Sequence, residues 1–140
     1  MISVSEIRIG LVVTDDVTGR EYASEVYKEL LKKGCAEANI TLKYVPSAFH
    51  LPLGTLFFAE YTDVDCVVTV CDEYNEAVAK ELLELQIQWN MPIECVHSEH
   101  KHGGDNIIYM VQLQGEMAGE ITEEQGCVPS APQIRKESIN

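Results

Sequence analysis

The chain has 140 residues, 46% of them hydrophobic, enough for one domain that buries a sizeable core without disulfides. Ten basic residues against 23 acidic ones give a net charge of −13, which argues against nucleic acid and anionic membrane as partners, because their phosphate fields would repel it. No apolar run approaches the ~20 residues of a membrane span, and Met1 to Ile9 lacks the basic-then-apolar layout of a secretion signal, so a cytoplasmic home is expected.

Ile7 to Thr14 reads as a buried first strand, rich in β-branched residues. Thr18-Gly19-Arg20-Glu21 has the form of a capping box, and Ala23, Val26, Tyr27, Leu30 and Leu31 follow on one helical face. Lys32, Lys33 and Gly34 supply the stop signals. Thr41 to Val45 is a second strand and Leu51 to Tyr61 a second helix, with Pro52 inside its first turn. Asp65 to Cys71 is a near-continuous apolar run, as a strand covered on both faces should be.

Asn75 to Asn90 forms a third helix with Val78, Leu82, Leu85 and Trp89 on one stripe, and Pro92 to His97 a fourth strand. This β-α-β-α-β-α-β order implies a parallel sheet with right-handed crossovers. The fold class is therefore α/β, a flavodoxin-like three-layer α/β/α sandwich on four parallel strands. A fifth strand joins if Asn106 to Gln114 is extended; the same residues also fit a helix running through Met117. Residues 1–126 make the domain. Residues 127–140, with Pro129, Pro132 and few large apolar side chains, read as a flexible or partner-draped tail.

Five cysteines without a CxxC pair read as reduced core residues, with Cys71 set apart by its place at a strand end. The most informative segment is Val45-Pro46-Ser47-Ala48-Phe49-His50-Leu51-Pro52-Leu53. It closes the second strand and opens the second helix, and in a parallel α/β sheet ligands bind at such carboxyl-edge turns. The helix start adds free N–H groups and a partial positive charge.

This segment resembles the Val-Pro-Gly-Ala-Phe-Glu-(Ile/Leu)-Pro-Leu signature of the 6,7-dimethyl-8-ribityllumazine synthase family, and the first hundred residues follow that family's plan in order. Val96-His97-Ser98-Glu99 and Asn106-Ile107-Ile108-Tyr109 are similar to stretches of the related archaeal riboflavin synthases. The resemblance implies condensation of a ribitylamino-pyrimidine with a four-carbon phosphate, or dismutation of lumazine. It also implies a homopentamer or larger shell with sites between subunits, a pyrimidine, lumazine or flavin-type ligand, and no cofactor. Carried over by position, Ser47, Ala48 and Phe49 match the ribityl-binding turn, and Thr14 to Asp16 the first loop; Cys71 and Asp72 stand at the edge of the third strand. His50 and His97 become the candidate proton carriers.

Three positions depart from the family pattern. Asp15-Asp16-Val17 replaces the stacking aromatic of the first loop, and His50 replaces the ribityl-binding glutamate. After Cys71 the chain passes through Asp72-Glu73-Tyr74 straight into a helix, without the family's phosphate-binding and histidine-bearing loop. Asp15, Asp16, Asp72 and Glu73 instead gather acid at that edge, where they would repel a phosphorylated sugar. A non-catalytic, ring-forming scaffold is thus the alternative. His97 to His102 contains metal-ligand residue types, but at a spacing that matches no standard metal motif, and no metal site is assigned. Asp15-Asp16 is also similar to the acidic pair of response-regulator receivers; that reading needs a phospho-acceptor such as Asp72 and a lysine after a fifth strand.

Overall fold

The computed structural model describes residues 2–125, with side chains as far as residue 119. Four strands, β1 (Ile9–Thr14), β2 (Ile40–Val45), β3 (Cys66–Val70) and β4 (Ile93–Val96), alternate with helices α1 (Val17–Lys32), α2 (Leu51–Tyr61), α3 (Glu76–Trp89) and α4 (Gly103–Gln125). The sheet is wholly parallel in the order β2-β1-β3-β4. This is the expected α/β architecture, with β1 and β3 central and buried along their full length.

Alternation along the central strands divides the interior into two cores. Ile9, Leu11 and Val13 of β1 join Cys66, Val68 and Val70 of β3 beneath α1 and α4, through Val26, Leu30, Ile107 and Val111. Val12 and Val67 point the other way, to Leu51 and Phe58 of α2 and Trp89 of α3. Helices on both faces of the sheet give the three layers. Glycines allow α2 to sit close: a Cβ on Gly10 would lie 2.8 Å from the Phe58 ring, and one on Gly54 would lie 2.6 Å from Val12 Cγ1.

One expectation about local structure is corrected, and one left open is decided. Helix α1 begins at Val17, not after Thr18, because Asp16 is the N-cap: its backbone is extended and its carboxylate accepts the Gly19 N–H at 2.6 Å. Of its predicted apolar face, Ala23, Val26 and Leu30 are buried, Tyr27 is half-buried and Leu31 faces solvent. Asn106 to Gln114 is helical, inside α4, so among the described residues the sheet stops at four strands. The reason lies in spacing: Ile107, Ile108 and Val111 reach one core only if they share a helical face.

Gly34, at φ +107°, ends the α1 turn in a conformation that other residues resist. Helix α3 is capped by Asn75, which accepts from Val78 N–H, and closes on Asn90 in the left-handed region. Cys35, Cys66 and Cys71 are buried, Cys95 is half-buried, and all four are free thiols. Cys127 and the tail of residues 127–140 lie outside the described residues.

Candidate functional site

Three strand-to-helix turns meet at the carboxyl edge of the sheet and enclose a crevice of about 350 Å³. Its wall brings together six residues expected from sequence: Thr14 at the end of β1, Asp16 at the α1 cap, Ser47 and Ala48 after β2, and Cys71 and Asp72 after β3. Pro46, Glu73, Tyr74 and Asn75 complete it. The charged side chains on this wall, Asp16, Asp72 and Glu73, are all acidic.

Each group has a definable chemical state. The Asp16 carboxylate holds the start of α1, so only part of its hydrogen-bonding capacity faces the crevice. Beside it, Asp15 takes the Arg20 guanidinium, whose pKa rises through that hydrogen bond and the charge of Asp15. The same guanidinium lies 4.3 Å from the centre of the Tyr44 ring. The basic residue next to the crevice is therefore already engaged. Thr14 Oγ1 is buried without a hydrogen-bond partner and lies against Gly19, where a Cβ would come within 2.5 Å of it.

Cys71 donates its thiol to the Glu73 carbonyl at 3.3 Å. Burial first, then Cys95, Asp72 and Asp16, push its pKa up to about 11. It is a protonated, poorly nucleophilic wall residue at neutral pH.

The proline-flanked turn is divided between two surfaces. Ser47 and Ala48 line the crevice, whereas Phe49 and His50 line a separate, open groove of about 560 Å³ between α2 and α3, with Pro52, Leu53, Leu56 and Leu85. The cause is the single 3-10 turn Ala48–His50, closed by the His50 N–H on the Ser47 carbonyl at 3.0 Å, which rotates successive side chains apart. Phe49 stands 78% exposed. His50 is tied to Ser47, Oγ to Nδ1 at 3.0 Å, so it communicates with the crevice through that hydroxyl.

His97 lies behind the crevice. It borders a void of about 20 Å³ shared with Ala48, Cys71, Tyr74 and Cys95, room for about one water molecule. Its Nδ1 accepts the Glu99 N–H at 3.3 Å, so the neutral ring carries its proton on Nε2. The neighbouring histidines are anchored elsewhere: His100 Nε2 meets Glu94 Oε1 at 2.7 Å, and His102 Nδ1 lies 3.6 Å from Glu29 Oε2. Among the described residues no three His, Cys, Asp or Glu side chains are arranged to hold a metal ion. A receiver's fifth strand, with the lysine that follows it, has no counterpart there either.

Tyr74 and Asn75 were not among the residues singled out from sequence. The signal was present, since they follow β3 at the edge where ligands bind. No family model matches the chain. Among curated proteins, a 6,7-dimethyl-8-ribityllumazine synthase from Methanopyrus kandleri is 28% identical over 100 residues, covering 64% of this chain and 71% of that protein. The likeness is distant, and the parallel α/β sheet is compatible with it. Among the described residues no helix is long and apolar enough to cross a membrane.

Proposed function

We infer that this protein is a divergent lumazine-synthase-like protein that binds a lumazine or flavin-type ligand in the crevice at the carboxyl edge of its sheet. The observation that carries this reading is the position of Ser47 and Ala48, the heart of the signature turn, on the wall of that crevice. A polyhydroxylated chain suits the main-chain groups of such a turn and the hydroxyls beside it. The distant lumazine synthase relative supports the same ligand class.

The charge of the wall bears on the chemistry. Opposing one phosphate charge with one carboxylate 4 Å away costs about 1 kcal/mol in water and about 4 kcal/mol at an effective dielectric of 20. A helix N-terminus returns only about 0.3–1 kcal/mol, and Asp16 and Asn75 already cap two of the three helices here. The balance disfavours the four-carbon phosphate of the condensation reaction. It leaves lumazine dismutation, or ligand binding without turnover, with His50 and His97 as the proton carriers in the catalytic case.

A homo-oligomer is part of this reading. Leu53, Phe57 and Tyr61 recur every four residues along the outer face of α2 and are exposed, as is Phe49 in the turn before it, while Leu51, Thr55 and Phe58 bury the inner face. A helix apolar on both sides needs a second cover. A pentameric ring, as the family resemblance implies, would supply it from the adjoining subunit, and a pure scaffold would keep this feature alone. Free thiols at four described positions fit a reducing, cytoplasmic setting.

Titration with riboflavin and with 6,7-dimethyl-8-ribityllumazine, read by ligand fluorescence, tests the proposal. Saturable binding of either at micromolar concentration is expected. If neither binds at high micromolar concentration, the ligand-binding reading fails and the scaffold remains. An assay for riboflavin formed from lumazine separates enzyme from binder.

A further inference from the structure

We propose that Tyr74 is the aromatic platform on which the ligand's fused ring lies, supplied from the turn after β3 rather than from the loop after β1. This rests on the function proposed above and goes beyond it by naming the residue that selects a planar heteroaromatic. Tyr74 is the aromatic side chain on the crevice wall, 55% exposed, beside Asp72 and Asn75.

Its position is held rather than free. On one side its ring meets His97, centroids 5.2 Å apart and tilted by 52°. Its backbone is bracketed by Asp72, whose carbonyl accepts the Ser98 N–H at 2.9 Å, and by Asn75, which caps α3. A ring fixed this way loses little rotational freedom when a ligand stacks on it.

The other aromatics near this edge are committed elsewhere. Tyr44 lies under the Arg20 guanidinium, and Phe49 belongs to the groove between α2 and α3. The loop after β1 offers Asp15 and Asp16, which cannot stack. A planar ring entering between the Ser47–Ala48 turn and the β3 edge meets the Tyr74 phenol as its apolar surface. Lumazines and flavins are electron-poor heteroaromatics, and an electron-rich phenol complements them in an offset stack.

The test uses the full chain with riboflavin as probe, following flavin fluorescence and the visible difference spectrum. Tyr74→Leu should weaken binding about tenfold and erase the difference spectrum, as loss of a stacking partner would. Tyr74→Phe should keep affinity within about threefold while relieving the fluorescence quenching that the phenol causes. Ser47→Trp fills the opposite wall at an exposed position and should abolish binding. Tyr74 is half-exposed, and unchanged Trp89 emission and thermal midpoint verify that its variants fold.

If Tyr74→Leu binds riboflavin like the parent while Ser47→Trp does not, the crevice stands and the platform is overturned. If both variants bind normally, the crevice falls with it. A parent protein that binds no riboflavin overturns both.

Discussion

Cys71 illustrates how burial decides chemistry residue by residue. It stands on the wall of the crevice, where a thiol is an obvious nucleophile to suspect, yet its pKa of about 11 keeps it protonated. At pH 8 its alkylation by iodoacetamide should run about a hundredfold slower than that of Cys71 in the urea-unfolded chain, since only the thiolate reacts. Peptide-level mass spectrometry reads the ratio; equal rates would show an exposed, ordinary thiol. The same shift has a consequence for stability. The folded state holds this proton more tightly than the unfolded state, so the stabilisation is complete below about pH 9 and is lost as pH rises towards 11. Cys35, Cys66 and Cys95, also raised chiefly by burial, act in the same direction.

Among the elements, α2 would connect the candidate site to the proposed homo-oligomer. The 3-10 turn that leads into it carries Phe49 and His50, its inner face packs on the sheet through Phe58, and its outer face is the exposed stripe from Leu53 to Tyr61. Phe57→Asp places a charge on that stripe and keeps Phe58 in the core, losing only the edge contact between the two rings. The substitution should shift the protein to monomer, read by light scattering, with a thermal midpoint lowered by the lost subunit contacts. An unchanged mass would mean that α2 does not form the interface. Helix α4 teaches a different lesson about elements. Ile107, Ile108, Tyr109 and Val111 resemble a strand in composition, and the structure nevertheless makes them a helix beside α1 on the sheet, because only a helical face brings Ile107, Ile108 and Val111 into one core while Tyr109 stays exposed.

For the whole molecule, the net charge of −13 is concentrated to a consequence at one place. Asp16, Asp72 and Glu73 face the crevice while Arg20 is held by Asp15. Riboflavin should therefore bind about tenfold more tightly than its 5′-phosphate at low ionic strength, with the gap shrinking at 0.5 M salt. Asp72→Asn with Glu73→Gln should narrow the gap at low salt as well. Equal affinities for the two flavins in the parent protein would refute a repulsive wall and restore the phosphate-using reaction as a candidate.

Periodicity and punctuation in the sequence were enough to determine the α/β class, the four strands, the bounds of α2 and the stripe of α3, because burial of apolar side chains on a 2.0 or 3.6 repeat is a local rule. The turn after β2 was also legible as a strand-to-helix turn at the carboxyl edge of the sheet. Its splitting was not: that Ser47 and Ala48 face the crevice while Phe49 and His50 turn to the groove between α2 and α3 follows from one 3-10 turn and from where α3 packs. Tyr74 joins the wall only because β3 lies beside β1, an adjacency set by a crossover across the sheet. Pairing between segments far apart in the chain is a tertiary decision, made by two cores competing for the same strands, and no local pattern carries it.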